Sequence, residues 1–148
     1  MRIIFFIFAF FICSNNLCAK VVDGDSLVFN NKKIRLLGID APEFFQTCLD
    51  KKGIAYECGQ ESKKYLSKIS KGKLSCKKIT TDKYGRDISV CHNGSENINK
   101  KMVRSGWAVA YRYYTDEYAK DEDYARKNKL GIWQGRFISP RSYRKIKK

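Results

Sequence analysis

One histidine, His92, stands among 148 residues, and that scarcity removes whole chemistries. Hydrolases built on paired histidines have no material here. A lone imidazole at the end of a strand-like stretch reads as a surface group rather than as the relay of a Ser-His-Asp site. The six cysteines include no paired C-x-x-C knuckles, which disfavours a four-cysteine zinc site. Neither an internal repeat nor a long low-complexity segment occurs, so repeat architectures are excluded. Acidic residues are scarce as well: 15 Asp+Glu face 30 Lys+Arg, for a formal charge of +15. A surplus of this size draws polyanions, with fast encounter and salt-dependent binding. Charge alone does not separate nucleic acid from anionic envelope polymers or from simple solubility.

The length leaves room for one domain. Met1-Arg2 followed by an apolar run over 3–12 and then small or polar residues to Cys18-Ala19 reads as a secretory signal over 1–19. A cut near Cys13-Ser14 and an uncleaved membrane anchor are the alternatives. Leu17 before Cys18 argues against a lipoprotein box. Export to the periplasm or out of the cell is the expectation, with no stable membrane association after cleavage, no obligate protein partner and a monomeric chain. Four cysteines then remain, Cys48, Cys58, Cys76 and Cys91, and an even number in an exported domain points to disulfides. Three pairings are open. The sequential one, Cys48–Cys58 and Cys76–Cys91, is favoured, because it closes one long loop and ties two strands across a turn.

Between 20 and 135 the pattern is strands first and helices later. Short strands are expected at 26–29 and 34–39, separated by a reversal at Asn30-Asn31, with Pro42 ending the second. Residues 44–59 hold no period and read as a long loop. Helical spacing appears at 60–70, where Tyr65, Leu66 and Ile69 form a stripe, and again at 97–105 and 116–129. Stretches 74–79 and 88–91 flank Asp82-Lys83-Tyr84-Gly85-Arg86 as a hairpin, and 107–113 reads as extended and aromatic. The basic tail, 136–148, is expected to fray. The sum is an α+β domain on a small barrel.

The chemistry lies in three motifs: Asp23-Gly24-Asp25-Ser26, Arg35 followed by Asp40-Ala41-Pro42-Glu43, and Asp82-Lys83-Tyr84-Gly85-Arg86. Each alone is an ordinary turn or strand end. Together they supply hard oxygen ligands for a divalent cation, a carboxylate to activate water and guanidinium forks for a phosphate. Their order and spacing, with Gly106-Trp107-Ala108, Ala110-Tyr111 and Leu130-Gly131-Ile132-Trp133, resemble the staphylococcal nuclease (thermonuclease) family, and its exported, disulfide-bearing branch.

The resemblance implies a five-stranded OB-type β-barrel with three helices. It implies Ca²⁺ held by Asp25, Asp40 and the Ala41 carbonyl, Glu43 as general base, and Arg35 and Arg86 clamping the phosphate. Lys83, Tyr84, Tyr111 and Tyr113 match positions lining the nucleotide pocket. The implied activity is calcium-dependent endonucleolytic cleavage of DNA and RNA. The rival is a non-catalytic OB-type module that holds nucleic acid or another polyanion. Three departures stand out. Ser26 replaces the usual threonine, the segment between Asp25 and Arg35 is short, and the loop after Glu43 is long and contains two of the cysteines.

Overall fold

The computed structural model describes residues 19–147, so the signal expected at 1–19 lies almost entirely outside the described residues. The chain opens with three antiparallel strands, β1 (Lys20–Asp23), β2 (Ser26–Phe29) and β3 (Lys32–Leu36). The β2–β3 reversal falls at Asn30 and Asn31, both with positive φ, the backbone that a two-residue hairpin requires and that Asn tolerates. Ile34 and Leu36 are buried while Arg35 between them is half-buried. Strand alternation therefore turns Arg35 to the face opposite the core.

Instead of one strand over 34–39, the chain breaks at Leu37-Gly38, where Gly38 has φ 72°, and resumes as β4 (Ile39–Asp40). The break swings Asp40 back towards Arg35. The loop read at 44–59 contains a two-residue-per-strand ribbon, β5 (Cys48–Leu49) and β6 (Ala55–Tyr56). It runs into α1 (Cys58–Ile69), which buries Ser62, Leu66 and Ile69. A long hairpin follows, β7 (Leu74–Thr81) and β8 (Asp87–Asn93), then β9 (Glu96–Asn97) and α2 (Ile98–Arg104), capped by the Asn97 side chain. The aromatic stretch is mostly turn, with only β10 (Val109–Ala110) paired, to β4. Helix α3 (Ala119–Lys127) and a 3₁₀ turn at Gly131–Gln134 precede α4 (Pro140–Ile146).

The main sheet runs β1-β2-β3-β8-β7, antiparallel except for the parallel β3–β8 pair, with β9 on β8. The α+β fold thus agrees with the expectation, with two corrections. The described residues form four helices rather than three, and residues 140–146 of the tail expected to fray form one of them. Its Ser139 accepts from the Ser142 N–H and its Pro140 sits in the first turn, a cap that no apolar period announces.

Leu27, Leu36, Ile39, Leu66, Ile98, Met102, Val103 and Tyr118 form the core under the sheet. Asn99, fully buried, stitches it together: its Oδ1 accepts from Cys91 N at 3.0 Å and its Nδ2 donates to the Leu37 and Ser89 carbonyls at 3.0 Å each. A buried amide satisfied on both sides fixes α2 against β8 and against the β3–β4 break.

Both disulfides take the sequential pairing, Cys48–Cys58 and Cys76–Cys91. Cys76 and Cys91 lie directly opposite in β7 and β8, so the bridge holds the hairpin whose tip is Asp82–Arg86. Closing its 15-residue separation is worth about 3 kcal/mol in the chain-entropy model. Urea unfolding of Cys76→Ser/Cys91→Ser should accordingly show a loss near that size with a larger m-value, because the unfolded chain without the cross-link exposes more surface, and an unchanged midpoint would refute the role.

Candidate active site

Asp25 reaches the site because Gly24 lets the β1–β2 turn lie against α1. A Cβ on Gly24 would fall 1.9 Å from Ser62 Oγ and 2.7 Å from Ala41 Cβ, so any side chain there pushes the turn off the helix. The Asp25 carbonyl accepts from Leu36 N at 2.8 Å. Its carboxylate accepts from Ser26 Oγ at 2.7 Å and from the Ala41 N–H at 3.0 Å, so the hydroxyl at position 26 is used. Asp25 and Asp40 are both buried, at 3% and 1% exposure. What makes that tolerable is Arg35, whose Nη1 donates to Asp25 Oδ1 and Nη2 to Asp40 Oδ1, each at 3.0 Å. Burial alone would lower the Arg35 pKa; the carboxylates of Asp25 and Asp40 outweigh it and hold the guanidinium above its ordinary value.

Glu43 sits where the long loop begins. Its position comes from two residues that no sequence motif marks. Gln46, fully buried, accepts from Glu43 N through Oε1 at 3.2 Å, donates its own N–H to the Glu43 carbonyl at 2.8 Å, and donates Nε2 to the Ile138 carbonyl at 2.7 Å. A Cβ on Gly59 would lie 1.8 Å from the Glu43 carbonyl. The first turn of α1, held by the Cys48–Cys58 bridge, therefore backs directly onto the Glu43 loop.

Arg86 approaches from the β7–β8 tip. Asp82 accepts from Tyr84 N at 2.9 Å, Arg86 N at 3.0 Å and Arg86 Nε at 2.8 Å. Burial pushes the Asp82 carboxyl up, but these bonds and the Arg86 charge prevail and hold it below its ordinary value. The Asp-x-x-x-Arg spacing is thus a clamp that aims the guanidinium.

Between these groups lies a cleft of about 700 Å³ whose walls include Asp23, Arg35, Glu43, Lys83, Tyr84, Arg86 and Tyr111. Of the nucleotide-pocket residues expected, Lys83, Tyr84 and Tyr111 line it. Tyr113 does not: it is 77% exposed and stacks on Tyr114, which takes the wall position. Three residues of α4, Arg141, Arg144 and Lys145, complete the rim. Arg144 is the largest surprise. Its Nη1 donates to Asp40 Oδ1 at 2.9 Å and Glu43 Oε1 at 2.7 Å, and its Nη2 to Asp40 Oδ2 at 3.0 Å. A second concavity of about 900 Å³, walled by Lys51, Lys52, Lys129 and Arg136 around Asp50, holds no paired carboxylates.

The carboxylates outnumber their partners. Burial, and then the charges of Asp25 and Glu43, push the Asp23 carboxyl up to about 7, the response of a buried acid beside other carboxylates. Among the described residues no three metal-binding side chains stand together as a ready-made cage. The donor chemistry still fits a hard divalent cation. The Asp25 and Asp40 carboxylates and the Ala41 carbonyl offer oxygen only, and the site attracts positive charge strongly enough to seat the Arg144 guanidinium on both Asp40 oxygens.

Residues 33–135 match the family described as staphylococcal nuclease homologue. The chain belongs to that family. The family span takes in Arg35, Asp40, Glu43 and Arg86 but ends before α4. Among curated relatives, an uncharacterized endonuclease of Haemophilus influenzae is 33% identical over 87% of this chain and 72% of its own length. The succinoglycan biosynthesis protein ExoI of Rhizobium meliloti is 34% identical over 78% of this chain, a match spanning 63% of that relative. A thermonuclease of Staphylococcus intermedius is 27% identical over 80% of this chain and 75% of its own.

Asp82→Ala should release Arg86 and cost about 1–3 kcal/mol, the price of removing a charged acceptor from three donors. Because the folded Asp82 pKa lies below its unfolded value, its contribution is complete above the ordinary carboxylate pKa of about 3.9 and disappears as pH falls through the depressed value. Thermal unfolding from pH 7 to 2.5 should show the wild-type and Asp82→Ala curves converging only at the acid end; a constant gap would contradict the clamp.

Proposed function

We propose that the chain is an exported, calcium-dependent endonuclease that hydrolyses phosphodiester bonds of DNA and RNA. The observation that carries this reading is the Arg35 fork joining buried Asp25 and Asp40 beneath a basic cleft that also presents Glu43 and Arg86. Membership of the nuclease family supports it, and so do relatives named endonuclease and thermonuclease. Two disulfides support an oxidising compartment. No helix among the described residues is long and apolar enough to cross a membrane.

In the reaction, the basic walls draw the polyanion in, and Tyr84 and Tyr111 offer faces for base stacking. A bound divalent cation, held by Asp25, Asp40 and the Ala41 carbonyl, would supply charge stabilisation at the phosphate. Glu43 accepts a proton from water as the water oxygen bonds to phosphorus. The bond from phosphorus to the leaving sugar oxygen breaks, and that oxygen is reprotonated from solvent. Negative charge grows on the remaining phosphate oxygens, where the planar forks of Arg35 and Arg86 stabilise it better than lysine could.

These groups act on charge that develops only in the transition state, whereas ground-state affinity is spread over many surface cations. Glu43→Gln and Arg86→Ala should therefore each lower kcat by about a hundredfold or more, since one lost oxyanion stabiliser costs on the order of 3 kcal/mol. Binding of single-stranded DNA, measured by fluorescence anisotropy, should change far less. Variants that cleave as fast as wild type would overturn the site assignment. A wild-type protein that binds but never cleaves would make it a binding module.

A further inference from the structure

Helix α4 has seven residues, too few to persist alone in water, and its docking rests on a short set of contacts. The Gln46 amide holds the Ile138 carbonyl, the Tyr143 hydroxyl donates to the Phe45 carbonyl at 3.2 Å, and Arg144 forms its three bonds to Asp40 and Glu43. Pro140 is its one buried residue, and Ile146 at its end is 70% exposed. Polar contacts to the cleft, above all those of Arg144, keep the helix in place.

The oxygens that Arg144 takes are the ones the catalytic reading needs. Both Asp40 carboxylate oxygens face a guanidinium nitrogen, and so does Glu43 Oε1. Asp40 Oδ1 already accepts from Arg35 as well as from Arg144, and Oδ2 from Arg144, so a divalent cation on Asp40 would be a third positive group within a few ångströms, strongly repelled unless Arg144 leaves. The opposite arrangement is equally consistent. With Arg144 docked, Arg35 and Arg144 offset two of the three negative charges of Asp25, Asp40 and Glu43 from within the chain, so little charge is left uncompensated without metal.

We propose that Arg144 is an internal counter-cation: in the resting protein its guanidinium stands in for the divalent cation on Asp40 and Glu43, and metal binding and docking of α4 exclude one another. The inference rests on the reading of Asp25 and Asp40 as the cation site. Its consequence is a metal affinity set by the fold. The apparent dissociation constant is the intrinsic one divided by the fraction of molecules with α4 released. Linkage works in both directions, so calcium must loosen α4 as much as α4 weakens calcium. Docked, α4 places Arg141, Arg144 and Lys145 at the rim of the cleft; released, it frees these cations to pair with an incoming phosphate backbone. Substrate would then oppose re-docking.

The test is calcium binding to the oxidised full chain without nucleic acid, by isothermal titration calorimetry, paired with amide hydrogen exchange. Arg144→Gln should bind calcium about tenfold more tightly if α4 is docked in nine-tenths of wild-type molecules. Arg141→Gln removes the same charge from the same helix without touching Asp40 or Glu43, and should shift affinity by less than about twofold at physiological salt. Arg144→Lys, which keeps the charge but loses the fork, should fall between wild type and Arg144→Gln. Saturating calcium should speed exchange of amides 142–147 in wild type. Equal effects of Arg144→Gln and Arg141→Gln, or protection of α4 undiminished by calcium, would overturn the competition. If those results came with binding that Asp40→Asn abolishes, the cation site would stand and only the competition would fall. No calcium binding by any variant would overturn the competition and the calcium assignment together, leaving cleavage to be judged from Glu43→Gln and Arg86→Ala.

Discussion

Arg35 is the group on which the rest of the site depends. Two carboxylates with almost no exposure, Asp25 in the β1–β2 turn and Asp40 in β4, meet here, and each would be costly to bury without a cation. A single guanidinium holds one oxygen of each at 3.0 Å. Removing such a partner from a buried ion pair typically costs about 3–5 kcal/mol, because the remaining charges stay behind uncompensated. Much of the local backbone serves this arrangement. Gly24 allows the Asp25 turn to pack on α1, the break at Gly38 redirects β4, and the Asn99 amide fixes that break to β8.

Around this centre the chain brings in two braced arms. One is the β7–β8 tip, stapled by Cys76–Cys91 and locked by Asp82, which presents Arg86. The other is the Glu43 loop, backed by Gly59 and Gln46 and stapled by Cys48–Cys58. Both disulfides therefore stiffen segments that carry groups facing the cleft, and both are built into the core: Cys91 in the main cluster, Cys48 and Cys58 with Ile132 in a second one.

Much of this was legible in the residues. Asp25, Arg35, Asp40, Glu43 and Arg86 lie beside turn residues at recognisable spacings, and of three open cysteine pairings the favoured sequential one is the one that forms. Local signals carried those readings. Gln46 and Arg144 were not legible, for a physical reason. Gln46 acts on a carbonyl 92 residues away and Arg144 on a carboxylate 104 residues away. Nothing within a few residues of either distinguishes it from an ordinary polar side chain in a loop or a basic tail. Helix α4 escaped because its seven residues hold no apolar period; only the Ser139 cap and Pro140 mark its start. Tyr113 was placed in the pocket where Tyr114 stands, because a turn rather than the expected extended strand sets which tyrosine faces in.

The central claim is that these groups form a cation-assisted phosphodiester-cutting centre rather than a polyanion-binding surface. Its most direct test is digestion of supercoiled plasmid and of RNA by the oxidised protein, in calcium and in excess chelator. Nicked and then fragmented nucleic acid is expected with calcium, and intact nucleic acid with chelator. Undiminished cleavage in chelator, or none in calcium by protein that still binds the plasmid, would contradict it.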